Sequence, residues 1–331
     1  MKLLIIQTAF IGDVILATSL IEKLKLHHPN AVIDFLVRKG NESLLKEHPH
    51  IGECLVFDKN KTKYTNLFRL IRKIRGKKYN YVINAQRFFT TGLITVLSGA
   101  KHKIGYNKNP LSFLFNMKVK HEIGTDKLNY KHEIERNQLL IQKLTDAIAQ
   151  NPKLYPLVND FEKVKIYKSI PYICIAPTSV WFTKQFPMSR WVEFINLVDE
   201  NIQIYLLGAP SDAQACENII NDASHKLIKN LAGKLSLLTS AALMKDSIMN
   251  YVNDSAPMHL ASAMNAPVCA IYCSTVPNFG FGPLSDISHV IEVKDDLDCR
   301  PCGLHGHRAC PEGHFKCANK IDVNRMISII T

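Results

Sequence analysis

The segment Tyr251-Val-Asn-Asp-Ser-Ala-Pro-Met-His259 has the residue types of an anion-facing corner at the end of a buried strand. Upstream, Ser247 to Val252 is short, apolar and partly β-branched. Downstream, Pro257 stands where the first turn of a helix tolerates it, and Met258 to Met264 is rich in helix formers. Asp254 or Ser255 is placed to cap that helix, whose free N–H groups and positive dipole end would face a small anion. His259 lies one turn in and could reach the same anion; the plainer alternative is an interior histidine satisfied by its neighbours.

A second strand-to-helix loop reads Pro177-Thr178-Ser179-Val-Trp-Phe-Thr-Lys184-Gln-Phe-Pro187. Two adjacent hydroxyls and a lysine supply donors for phosphate oxygens. Each residue alone is ordinary loop chemistry, but two such corners in one half of the chain are harder to dismiss. A third corner, Gln7 to Asp13, contains one glycine, Gly12. It lacks the Gly-x-Gly-x-x-Gly that brings backbone against a pyrophosphate, which argues against a dehydrogenase. It places a carboxylate, Asp13, at a helix start. That group is either a base aimed into a cleft or only a carboxylate favoured by the helix dipole.

The elements that must hold these corners follow a βαβ rhythm. Lys2 to Ile6 reads as a buried strand and Asp13 to His28 as a helix, with Ala17, Leu20, Ile21 and Leu24 at helical spacing. Ala31 to Val37 and Tyr81 to Asn84 read as further strands, separated by a basic helix near Asn66 to Gly76. After Pro171 the rhythm restarts. Tyr172 to Ala176, Ile202 to Leu207, Ser247 to Val252 and Pro267 to Tyr272 are expected strands. Ser189 to Glu200, Ser211 to Asn221, Ser236 to Lys245 and Pro257 to Met264 are expected helices. The pattern predicts parallel sheets in two doubly wound domains facing across a cleft. The polar stretch Gln150 to Ser169 holds the junction, which puts the domains at 1–160 and 161–331.

Composition bounds the function. The 331 residues are 47% hydrophobic and 21% charged, with a net charge of +12. No apolar run approaches the roughly 18 residues that span a bilayer, so the expectation is a cytoplasmic protein. The charge favours an acidic partner or a solvated basic surface. Its densest cluster is Arg69, Arg72, Lys73, Arg75, Lys77 and Lys78, without the interleaved aromatics of a single-strand binding platform, so nucleic acid is not expected.

Ile11-Gly12-Asp13, Thr178-Ser179 with Lys184 and Pro187, and Asn253-Asp254-Ser255-x-x-Met258-His259 together resemble glycosyltransferase family 9, the lipopolysaccharide core heptosyltransferases. Cys310-Pro-Glu-Gly-His314-Phe-Lys-Cys317 is similar to one branch of that family. The matching segments run from the first strand to the tail. The resemblance implies a GT-B fold of two Rossmann-like domains, with the acceptor on the N-terminal domain and an ADP-heptose donor mainly on the C-terminal one. It implies Asp13 as catalytic base and Thr178, Ser179 and Lys184 as diphosphate ligands. Asp212 would meet donor sugar hydroxyls, and Leu235 in the loop Ala232 to Ser236 would wall the adenine. The chain departs from the family at Ala256-Pro257, where glycine usually follows Asp-Ser; alanine adds a methyl and proline removes a donor.

A nucleotide-diphosphate sugar carries its own leaving group, so one base suffices where glycoside hydrolysis generally needs two carboxylates. A single displacement would invert the anomeric centre. Ser255, Ala256, Thr178, Ser179, Lys184 and His259 would stabilise the departing diphosphate. No divalent metal is needed. Gly12, Arg69, Arg72 and Arg87 are the candidate contacts to an acceptor rich in carboxylate and phosphate, and the same charge suits peripheral attachment to the inner face of the inner membrane. Cys299, Cys302, Cys310 and Cys317 lie among His305, His307 and His314. The cluster admits structural zinc, disulfides, or free thiols packing a loop. The alternative functions are a non-catalytic nucleotide or glycan binder and a sugar-nucleotide epimerase of the same fold.

Overall fold

The computed structural model describes residues 1–58, 63–124 and 130–330, without the side chains of residues 63 and 64. It divides into two compact units, one of residues 1–124 and 131–155, the other of residues 125–130 and 156–331.

The first unit contains β1 (Lys2–Ile6), α1 (Ile11–His27), β2 (Val32–Arg38), β3 (Cys54–Phe57), α2 (Lys63–Gly76), β4 (Tyr81–Asn84), α3 (Phe89–Leu97), β5 (His102–Tyr106), β6 (Met117–Val119) and α4 (Glu133–Ile141). Its strands pair in parallel in the order β3-β2-β1-β4-β5-β6. Leu3, Leu4, Ile5 and Ile6 of β1 have no exposed surface, the near-continuous apolar run of a strand covered on both faces. A core of Leu4, Ile6, Leu36, Ile74, Val82 and Ile94 forms under α2 and α3. α1 is buried along most of its length, beyond one amphipathic stripe, because α4 packs beside it as well as the sheet.

The second unit contains α5 (Val158–Val164), β7 (Tyr172–Ala176), α6 (Met188–Leu197), β8 (Gln203–Leu206), α7 (Ala213–Asp222), β9 (Ile228–Asn230), α8 (Leu237–Met244), β10 (Asn250–Asn253), α9 (Ala256–Ala263), β11 (Val268–Tyr272), β12 (Ser288–Glu292), α10 (Lys316–Asn319) and α11 (Asn324–Ile327). Its parallel order is β12-β11-β10-β7-β8-β9. Counted from β7, this repeats the order of the first unit. Its core centres on Trp191, Phe186, Phe194 and Tyr251, with Phe186 edge-on to Trp191 at 5.2 Å.

Both sheets therefore change direction beside their first strand, between β1 and β4 and between β7 and β10. Ligands of open α/β sheets bind outside the carboxyl ends of strands at such points.

Candidate active site

At the first switch point, β1 ends in Ile6 and the chain enters α1 through Gln7 to Phe10. Four strand-end loops are stitched together there by amides. Gln86 Nε2 donates to Gln7 Oε1, Gln7 Nε2 donates to Ala85 O at 3.3 Å, and Asn41 Nδ2 donates to Ala9 O at 3.0 Å. Asn109 Nδ2 donates to Gln86 O and Phe88 O at 3.1 and 3.0 Å. Asp13 sits on this frame as the third residue of α1, and its Oδ2 accepts from Phe10 N at 3.2 Å.

Asp13 is half-buried, and its carboxyl is pushed up to about 6, first by lost hydration and then by the negative field of Glu133. The Phe10 N–H and the Arg38 guanidinium oppose the shift without cancelling it. Burial disfavours ionised Glu133 too, but His121 and Arg136 outweigh it and its pKa is lowered. Arg136 Nε lies 2.7 Å from Glu133 Oε2, and His121 Nε2 lies 3.1 Å from it. A fixed carboxylate thus raises the affinity of Asp13 for a proton, the setting of a general base poised near neutrality.

At the second switch point, β10 ends at Asn253 and β7 at Ala176. Asn253 is fully buried and joins the two loops. Its Oδ1 accepts from Phe186 N at 2.9 Å, and its Nδ2 donates to Pro177 O at 2.8 Å. Thr178 and Ser179 are half-buried just beyond Pro177. Lys184 Nζ lies 2.7 Å from Asp254 Oδ2, which also accepts from Thr275 Oγ1 at 2.6 Å. Asp254 therefore does not cap α9, contrary to expectation, because Lys184 and Thr275 hold it. Ser255 occupies the cap position without a side-chain cap, and its Oγ donates instead to Asn253 O at 3.3 Å.

Ala256 and Pro257 form the first turn of α9, where Met258 N closes on Ser255 O at 3.1 Å. Proline here gives up only a donor that helices leave unpaired. His259 is buried in the next turn.

The two neighbouring loops of the second unit also meet. Asp212 Oδ2 accepts from Ala209 N at 2.7 Å. Gly233 has φ +75° and packs on Pro210, with its N–H donating to Gly208 O at 2.9 Å. Leu235, half-buried, follows two residues later.

Not every candidate converges. Gly12 lies in the first turn of α1 and Arg87 in the loop after β4, but Arg69 and Arg72 are exposed on α2, which packs on the outermost strand β3. Arg69 borders a hollow of about 250 Å³ between β3 and α2, two strands away from β1. Asp296-Leu297-Asp298 is an Asp-x-Asp sequence, with both carboxylates exposed after β12. Among the described residues, no three His, Cys, Asp or Glu side chains are grouped as a metal site requires, and all nine cysteines are free.

The family model for glycosyltransferase family 9 (heptosyltransferase) matches residues 67–312, three-quarters of the chain. The chain belongs to glycosyltransferase family 9. This glycosyltransferase is 26% identical over 314 residues to lipopolysaccharide heptosyltransferase 2 of Escherichia coli K12, covering 88% of each chain. With lipopolysaccharide heptosyltransferase 3 of the same strain it shares 28% over 291 residues, 80% of each. The solved E. coli ADP-heptose lps heptosyltransferase II matches it with a TM-score of 0.81 at 22% identity, over 100% of this chain and 97% of that one. E. coli heptosyltransferase WaaC with ADP-2-deoxy-2-fluoro heptose matches with a TM-score of 0.72 at 19% identity, over 99% of each. The fold is α/β and GT-B-like, as the sequence predicts.

The contacts of three residues in the glycosyltransferase's second corner are not legible in the sequence, because their partners are distant in the chain. Asn253 reaches loops 67 and 76 residues away. Thr183, buried beside Lys184, accepts from His307 N at 2.7 Å and from Ser274 Oγ at 3.0 Å. Arg300 donates to Cys273 O and Thr275 O at 2.7 and 2.8 Å and pairs with Glu292 at 2.5 Å. The cysteine-rich segment is thereby pinned to the loop that carries Lys184. Gly306, at φ +75°, fits there because a Cβ would lie 2.9 Å from Thr183 Oγ1.

Proposed function

We propose that this glycosyltransferase moves a heptose from ADP-heptose to the anionic inner core of lipopolysaccharide, with Asp13 as the general base. The reading is carried by the placement of two chemically different corners at equivalent points of two identically ordered sheets. One offers a lone carboxylate with its pKa raised to about 6, and the other offers hydroxyls, a lysine and a helix start. The relatives named above supply the donor and acceptor classes.

The acceptor hydroxyl attacks the anomeric carbon while Asp13 takes its proton. The bond from that carbon to the diphosphate breaks, and ADP leaves with the electron pair. One displacement inverts the centre. Charge gathers on the diphosphate, where the Thr178 and Ser179 hydroxyls, Lys184 and the first turn of α9 at Ser255 and Ala256 would hold it. His259 is a further candidate on that side. Asp212 is proposed to meet donor sugar hydroxyls and Leu235 to wall the adenine. Gly12 and Arg87 are proposed acceptor contacts on the unit that holds Asp13; Arg69 and Arg72 would meet only an acceptor long enough to reach α2.

The scheme routes no step through a divalent metal. Structural zinc at Cys299, Cys302, Cys310 and Cys317 is proposed separately. The thiols are near enough to perturb one another: burial first, then the other three cysteines, push the Cys317 thiol up to about 11. A tetrahedral zinc would have to draw these four thiols closer together, and it would brace the segment pinned to Thr183. One zinc per chain, lost on substitution of the four cysteines by serine, is the expected result; metal-free protein with intact donor binding contradicts it.

A donor screen read by product mass tests the main proposal. ADP-heptose and ADP-, GDP- and UDP-hexoses are offered with core-truncated lipopolysaccharide acceptors. Product from ADP-heptose is expected. Saturable donor binding with no product on any acceptor would favour a non-catalytic binder, and a changed donor without acceptor would favour an epimerase.

A further inference from the structure

The positive charge of the chain is confined to one part of it. The unit of residues 1–124 and 131–155 carries 25 Lys and Arg against 11 Asp and Glu, a net +14, so the rest of the +12 chain is slightly acidic. Between Asp58 and Glu122 the sequence has 15 Lys and Arg and not one acidic residue. Within it, α2 is the densest basic element, yet part of its charge is spent internally. Lys73 pairs with Glu53 at 2.5 Å, and Lys77 pairs with Asp34 at 2.7 Å and with Glu53.

The loops after β4 and β5 differ. Phe88 and Phe89 are 52% and 56% exposed, and Phe113 and Leu114 are 70% and 48% exposed. They are parts of one surface, because buried Asn109, from the second loop, donates to Gln86 O and Phe88 O of the first. Gly92 permits this approach: a Cβ there would overlap the Asn109 amide. Phe115 is buried against Gly105, which anchors the second loop and leaves its neighbours facing outward. Arg87 lies over the Phe88 ring at 5.7 Å, and exposed Lys108 sits on the adjoining loop. Four large apolar side chains on hydrogen-bonded loops, bordered by cations and lying in a stretch of sequence without an acidic residue, make a surface unlike scattered exposed residues.

We propose that this surface docks the glycosyltransferase on a bilayer containing anionic phospholipid. Phe88, Phe89, Phe113 and Leu114 enter the headgroup region, and Lys108 meets lipid phosphates. Phenyl rings and leucine gain from leaving water at that depth, while the acid-free half of the unit draws the protein to negative lipid. The apolar tips of the loops hold the protein there, whereas α2 contributes long-range attraction. The inference goes beyond the proposed function and does not depend on it, because binding is read without donor or acceptor.

The test is co-sedimentation of the full chain with phosphatidylcholine vesicles and with vesicles doped with phosphatidylglycerol. Binding to the doped vesicles is expected, weakening as salt rises. Phe88→Ser, Phe89→Ser, Phe113→Ser and Leu114→Ser combined should reduce it by at least about tenfold, with melting temperature unchanged because all four side chains are exposed. Lys108→Glu should weaken it by a smaller factor. Val158→Ser with Ile166→Ser, which alters side chains 79% and 74% exposed in the other unit, should leave it unchanged. Equal binding by the four-residue variant and the unaltered chain overturns the proposal. So does a concentration-dependent dimer that the four-residue variant abolishes, since the surface would then pair two copies.

Discussion

Lys184 Nζ and Asp254 Oδ2 stand 2.7 Å apart, joining the loop after β7 to the loop after β10, and both side chains are largely buried. The pair is locally neutral. On the proposed donor placement a diphosphate competes with a carboxylate for the lysine rather than finding a free cation, and Thr275 holds that carboxylate in place.

Asp254→Asn should therefore act in opposite directions on the empty and the occupied enzyme. Without ligand, Lys184 loses its counter-charge and stability falls by about 1–3 kcal/mol. With ADP bound, the diphosphate supplies the missing charge and repulsion from Asp254 is gone. Thermal melts with and without ADP check this: the ADP-induced rise in Tm is expected to be larger in the variant than in the unaltered chain. Lys184→Ala should weaken ADP binding by about tenfold or more.

Asn253→Ala removes a donor and an acceptor from a fully buried position and strands Phe186 N and Pro177 O. The expected loss is about 2–4 kcal/mol in denaturant unfolding. Donor affinity should fall as well, because Thr178, Ser179 and Lys184 all ride on the loop that Asn253 holds. Intact donor affinity in a folded variant would mean that this loop is positioned by other contacts.

The pH dependence follows from Asp13, raised from 3.8 to about 6. A base must be ionised, so kcat/KM should fall as pH drops through about 6. The stability effect has the other sign. Below about 4 the carboxyl is protonated folded and unfolded, and it imposes no penalty. Between about 4 and 6 the unfolded chain releases the proton more readily, and above 6 the full penalty applies, at most about 3 kcal/mol before screening by solvent. Asp13→Asn should raise Tm at pH 8 and leave it nearly unchanged below pH 4. A variant no more stable than the unaltered chain at pH 8 would argue against the raised pKa.

Glu133→Gln removes the negative field second in weight only to burial. The acid limb of kcat/KM should move to lower pH. Ser or Ala at 133 would leave the Arg136 side chain a larger void, so glutamine is the informative replacement. A limb that stays near 6 would assign the shift to burial alone.

Much of this arrangement was legible in the sequence where burial is complete. β1, β7 and β11 are near-continuous apolar runs, and α6, after β7, buries Trp191, Phe194 and Ile195 at helical spacing. The outer strands were not legible. β6 and β9 are three residues each, Met117–Val119 and Ile228–Asn230, half-exposed and defined by pairing to a neighbour rather than by their own pattern. The corners were legible as residue types but not as contacts. Asp254 looked like a helix cap because its partners, Lys184 and Thr275, lie 70 and 21 residues away. The part played by the cysteine-rich segment depends on backbone groups of His307 and Cys273, which no side-chain pattern announces.

The central claim is that Asp13 takes the acceptor proton without holding the donor. It is tested most directly by single-turnover transfer from ADP-heptose with Asp13→Asn, alongside calorimetric ADP binding to the same protein. Transfer slowed by about 10²–10⁴-fold with ADP affinity within a few-fold of the unaltered enzyme is predicted. Transfer at a near-normal rate, or a loss of ADP affinity as large as the loss of rate, would contradict it.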